Sequence, residues 1–108
     1  MSSDAFEQQM AMLRAEYRHD LPATLLGVEN LWRSLATGSV PPARLMELQR
    51  QLHSIAGSAK TFGLAQLTES ARAAEDFLEP YCAAGALPGV TEQAHLERLL
   101  HALKRAAP

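Results

Sequence analysis

Leu45, Leu48, Leu52, Ile55, Ala59 and Phe62 recur at steps of three and four residues. That spacing lines all six along one side of an α-helix, as an apolar stripe that other parts of the chain must cover. No segment alternates apolar and polar residues as a half-buried strand would, so the covering surfaces are sought in further helical periods. Leu21, Leu25, Val28, Leu31 or Trp32, and Leu35 supply one. Leu64, Leu67, Ala71, Ala74 and Leu78 supply a second, and Leu96, Leu99, Leu100 and Leu103 a third. A chain of 108 residues is the size of one domain, 1–108 with its core at about 20–105. At that length folding buries roughly 65% of the surface of the extended chain, enough for a core without metal or disulfide.

The punctuation between these periods predicts the connections. Ala36-Thr37-Gly38 ends the first helix, and Ser39-Val40-Pro41-Pro42 leads into the next, where proline is tolerated in a first turn. Gly63 stops that helix, and the period resumes at once from Leu64. Gly85-Ala86-Leu87-Pro88-Gly89-Val90 reads as a loop, with Thr91 as the cap of the last helix. Before all of these, Ser2, Ser3 and Asp4 offer N-caps for a segment reaching about Tyr17, with Phe6, Met10, Leu13 and Tyr17 at helical spacing. Asp20-Leu21-Pro22 is either a new helix start or a kink. The expected fold is all-α: an up-and-down antiparallel four-helix bundle with an additional N-terminal helical segment.

Composition removes several classes of function. Ten Lys or Arg against twelve Asp or Glu give a formal net charge of −2, which does not resemble a nucleic-acid footprint. No apolar run approaches the ~20 residues a membrane helix needs, and a cytoplasmic location is expected. The lone Cys82 excludes an internal disulfide and reads as an inert small hydrophobe. His95 and His101 are six residues apart, poor spacing for a metal on one helix face, and they and His19 read as surface or boundary residues. A serine or cysteine nucleophile with a matching base and a glycine-rich phosphate loop are missing from the pattern, and neither resident metal nor cofactor is expected.

His53 is the residue that the apolar pattern does not absorb. It stands about 100° around the helix from Leu52, at the margin of the core, where solvent or a partner can reach it. Gly57 is one turn further on the same face, although a mid-helix glycine costs roughly 1 kcal/mol relative to alanine. The glycine either admits a close approach to the histidine or serves as a helix-packing point. If the chain folds back about Leu64, His53 and Glu75 are each eleven residues from the fold and lie at the same height. Glu75 then accepts a hydrogen bond from one ring nitrogen and leaves the other as a nucleophile. The same arithmetic sets Ala56 opposite Arg72, while Lys60 lies two turns beyond His53 on nearly its own face. A nucleophilic imidazole among small residues and some positive charge suits transfer of a group between two other proteins, a phosphoryl group above all.

The run His53-Ser54-Ile55-Ala56-Gly57-Ser58-Ala59-Lys60-Thr61-Phe62-Gly63 resembles the signature of histidine-containing phosphotransfer (HPt) domains, including the N-terminal phosphotransfer domain of chemotaxis histidine kinases. His53, Gly57 and Gly63 match that family's phosphorylated histidine and two glycines. Thr61, Phe62 and Glu75 match features of the chemotaxis type. The departure is Ala56, where the family usually has lysine; Arg72 or Lys60 is expected to supply the missing charge. The resemblance implies a carrier without kinase or ATPase activity of its own. Its partner would be the receiver domain of a response regulator or hybrid kinase, which brings the Mg²⁺ and the aspartate. Glu75 would hold Nδ1, and His53 would be phosphorylated at Nε2. A monomer is the expected state, with a dimeric kinase-type bundle as the alternative. Ala56 keeps open a second reading, an HPt-like interaction module that transfers weakly or not at all.

Overall fold

The computed structural model describes residues 2–108, apart from the side chain of Ser2. Four α-helices follow one another: α1 (Ser2–Ala36), α2 (Leu45–Thr61), α3 (Ala65–Ala84) and α4 (Val90–Ala106). A single 3₁₀ turn, Pro42–Arg44, leads into α2, its first residue a proline whose missing N–H would have been unpaired anyway. No strand occurs among the described residues.

Each helix contributes the stripe expected of it. Leu21, Leu25, Val28, Leu31, Trp32 and Leu35 of α1 enter one core with Leu45, Leu48, Leu52, Ile55 and Ala59 of α2. Leu67, Ala71, Ala74 and Leu78 of α3 and Leu96, Leu100 and Leu103 of α4 complete it, while Phe62, Leu64 and Leu99 are half-buried at its edge. The most extensive helix interface is α2 against α3, where alanines at 71 and 74 let the backbones approach. Across the bundle, α4 is tied to α1 by a hydrogen bond from the Trp32 indole N–H to Glu97 (3.4 Å) and an ion pair between Lys104 and Glu29 (3.4 Å). The indole needs such a partner because Trp32 is buried.

The turn that positions the site is built on Gly63. Its φ of +73° lies in the left-handed region, where a Cβ would be strained. The Gly63 N–H bonds back to the Lys60 carbonyl (3.1 Å) and the Leu64 N–H to the Ala59 carbonyl (2.9 Å), the paired 5→2 and 6→1 bonds of a Schellman stop. The chain reverses within three residues, 62–64, and α3 starts at once.

Three boundaries differ from the sequence reading. No break separates an N-terminal segment from α1: the helix runs unbroken through Pro22 for 35 residues. Proline removes a backbone N–H and so leaves the Arg18 carbonyl without its helical partner. Pro22 and Arg18 are both exposed, so water can satisfy that carbonyl, and Leu21 and Leu25 on the inner side hold the helix in place. Pro80 is accommodated inside α3 in the same way, on an exposed face. Ser3 and Asp4 lie within the first turn of α1 rather than ahead of it, and the side chain of Ser2 is outside the described residues. Thr91 lies inside α4, whose cap is Gly89 with no side-chain hydrogen bond.

Candidate functional site

His53 sits midway along α2, between Leu52, which is fully buried, and Ile55 and Ala56, which are 3% exposed. Its own side chain is 75% exposed. The difference follows from one residue step around the helix: the stripe that holds α2 against α3 ends where the imidazole begins. Because the Gly63 turn is tight and the two helices are antiparallel, Glu75 of α3 arrives at the height of His53. Its Oε2 lies 2.7 Å from Nδ1, and only 20% of the glutamate side chain is exposed. One turn further from the reversal, the Gln49 amide donates to the Glu79 carboxylate and, at 3.5 Å, to the backbone carbonyl of Glu75. These contacts repeat the same register and brace the helix that carries Glu75.

A carboxylate can only accept, so Nδ1 carries the hydrogen in this contact. In the neutral ring Nε2 then holds the free lone pair, on the edge of the imidazole away from α3. The ring is thus oriented by one partner and open on its Nε2 side.

The shallow depression around the ring is lined by Met46, Gln49, Arg50, His53, Glu75 and Glu79. Arg50 is the cation here, exposed and without an ion pair among the described residues. It stands three residues before His53, as far ahead of the histidine as Ala56 is behind it. The sequence reading places the compensating charge on Lys60 or Arg72 and not on Arg50; the i, i+3 spacing that puts Arg50 and His53 on neighbouring positions of one helix surface is the signal for it. Lys60 and Arg72 are both exposed, but they line a separate depression with Gly63, Leu64 and Thr68, nearer the turn. The structure places these two cations on one depression and leaves them outside the lining of the His53 depression. Ala56 is part of the core, so its side chain contributes to helix packing and not to the exposed surface around the ring.

Gly57 is exposed on the His53 side, and a Cβ added there would meet no atom within 4 Å. No neighbouring helix requires a glycine at this point, so the helix-packing reading fails and the open surface remains. Together, Met46, Arg50, His53, Gly57 and Lys60 form an exposed stripe of α2 at steps of four, three, four and three.

The other candidate groups lie elsewhere. His19, His95 and His101 are exposed, His95 with its ring 4.8 Å from that of Phe77. Among the described residues no three His, Cys, Asp or Glu side chains are arranged to hold a metal ion, and no helix is long and apolar enough to cross a membrane. Cys82 is half-buried. Burial, and secondarily the charge of Glu79, pushes its thiol above the ordinary range, which keeps it protonated and unreactive near neutral pH.

Comparisons with curated proteins and with solved structures each gave no match. A family model described as "Hpt domain" matches residues 12–107, which include all of α2, α3 and the turn between them. The exposed histidine, its carboxylate partner and the helical hairpin that joins them therefore stand within a match to most of the sequence, and the chain belongs to the Hpt domain family.

Proposed function

We propose that this chain carries a phosphoryl group on Nε2 of His53, exchanging it with the aspartate of a receiver domain in a response regulator or hybrid kinase. Phosphotransfer is the general role of the Hpt family, and receiver domains are its general partners. The observation that supports this particular residue is the 2.7 Å contact between Nδ1 and Glu75, which orients a ring whose other nitrogen is exposed.

In the transfer, the Nε2 lone pair attacks the phosphorus of an aspartyl phosphate, a P–N bond forms, and the P–O bond to aspartate breaks to release a carboxylate. The ring gains positive charge as the bond forms. Glu75, hydrogen-bonded to the Nδ1–H, opposes that charge and keeps the ring aligned. Arg50 supplies positive charge beside the incoming phosphoryl oxygens, and Lys60, two turns along α2, and Arg72, at the height of Ala56, add to the rim. Mg²⁺ and the reacting aspartate belong to the receiver. The chain contributes the nucleophile and a surface that Gly57 keeps low enough for docking. The reverse reaction uses the same groups in the opposite order.

Incubating the chain with a radiolabelled phospho-receiver and Mg²⁺ tests the proposal. Acid-labile, alkali-stable label should appear on the chain, and NMR of the imidazole should place it on Nε2. Receiver binding without label would instead support an interaction module, the reading that Ala56 keeps open.

A further inference from the structure

A second apolar stripe is only partly covered by the fold, with Met10 and Tyr17 half-buried. Phe6, Met10, Leu13 and Tyr17 stand at steps of four, three and four on α1. Phe6 is 64% and Leu13 41% exposed, whereas Leu21 and Leu35 of the same helix are at 2% and 0%. The 35 residues of α1 run roughly 52 Å at 1.5 Å per residue. The longest dimension of the molecule is 55 Å, and α2 and α4 have only 17 residues each. Residues 3–16 therefore extend past the α2–α3 turn as an arm. Tyr17 marks the rim, its ring 4.9 Å from that of Phe62 and its hydroxyl 2.8 Å from Ser58.

We propose that this arm pairs, antiparallel, with the same arm of a second copy of the chain. The spacing is that of a coiled-coil seam, with Phe6 and Leu13 at d positions and Met10 and Tyr17 at a positions. Related by a two-fold axis, Met10 of each copy meets Leu13 of the other, and Phe6 meets the Tyr17–Phe62 ring pair. The flanking e positions are Glu7 and Arg14. In an antiparallel pair e faces e, so Glu7 of each copy lies beside Arg14 of the other, and the interface closes with two opposite-charge pairs. A parallel pair would leave these two residues without each other. The self-complementary stripe and charges are what identify the occupant as a second copy. His53 is nine residues before Phe62, roughly 13 Å down the bundle from the arm, so both phosphotransfer surfaces stay open. The monomer expected from a single accessible histidine thus gives way to a dimer of independent sites.

Four seam layers fall at the low end of specific interfaces, and a dimer Kd on the order of tens of micromolar is expected. Sedimentation velocity on the full chain from 1 to 500 µM (about the range such a Kd requires) should show conversion from monomer to dimer. Leu13→Asp should hold the chain monomeric over that range with an unchanged bundle melt. Glu7→Arg or Arg14→Glu alone should weaken the dimer several-fold and more so at low salt, and the two together should restore it. A monomer at every concentration, a dimer indifferent to Leu13→Asp, or a double exchange no tighter than the single ones would each overturn the proposal.

Discussion

The inner and outer faces of α2 come from the same 17 residues. Leu45, Leu48, Leu52, Ile55, Ala56 and Ala59 are 3% exposed or less, whereas Met46, Arg50, His53, Gly57 and Lys60 are all exposed. The inner face is chosen for volume: each side chain fills space between helices, and loss of one leaves a cavity. The outer face holds residues that a stable helix does not ask for, including a mid-helix glycine with open space around it. A bundle can keep its reactive surface on one side of a helix because the stripe on the other side is sufficient to hold that helix in place.

The comparison is broken most sharply by exchanging one residue on each face. His53→Gln should abolish acid-labile label completely while moving the melting temperature by no more than about 4 °C, as for a surface substitution. Leu52→Ala should do the reverse, losing about 2–5 kcal/mol in urea unfolding while the label per folded molecule is retained. A Leu52→Ala protein that folds normally but no longer accepts phosphoryl would show that the two faces are not separable.

Smaller effects sharpen the picture of the outer face. Glu75→Ala removes a hydrogen bond to a ring that becomes charged, a contact typically worth about 1.5–3 kcal/mol, so transfer should slow by about tenfold or more. Glu75→Gln should slow it less, because an amide oxygen can still accept from Nδ1. Stopped-flow transfer at wild-type rate in Glu75→Ala would remove the orienting role. Arg50→Ala should slow transfer by about two- to fivefold, the scale of a solvent-exposed charge, and by more than Arg72→Ala does. The opposite ranking would put the compensating charge nearer the turn. Gly57→Ala should stabilise the helix by about 0.5–1 kcal/mol, since a Cβ there meets nothing. Gly57→Phe should weaken receiver binding in titration calorimetry with little change in melting.

Much of the hairpin was legible in the order of residues. Gly63 as the stop, Leu64 as the point of reversal and the equal separations of His53 and Glu75 from it led to the contact found at 2.7 Å. Those separations work because two antiparallel helices of equal rise per residue measure distance in the same units from a tight turn. The same arithmetic was less informative for Arg72 and Ala56. Height alone does not say which way a side chain points, and here Ala56 turns into the core while Arg72 stays on the surface with Lys60. Arg50 is legible in the same local geometry, because one helix turn before His53 is as near the ring as one turn after it.

The long first helix marks the limit between the two kinds of information. Its apolar period, like those of α2, α3 and α4, is written in the sequence, because hydrogen bonding between residues four apart sets a 3.6-residue repeat locally. That repeat says which side of a helix is apolar, and glycines at 38, 63 and 85, all with positive φ, say where three of the helices end. Whether anything lies against the apolar side is a different question. Leu21, Leu25, Val28, Leu31 and Leu35 are covered and Phe6 and Leu13 are not, although the spacing is alike. Pro22, read locally as a start or a kink, lies inside a continuous helix because its exposed face leaves the freed carbonyl to water while Leu21 and Leu25 remain packed. Continuity through a proline and the burial of Ala56 both depend on which surfaces meet in three dimensions, and that is settled by packing between segments distant in the chain.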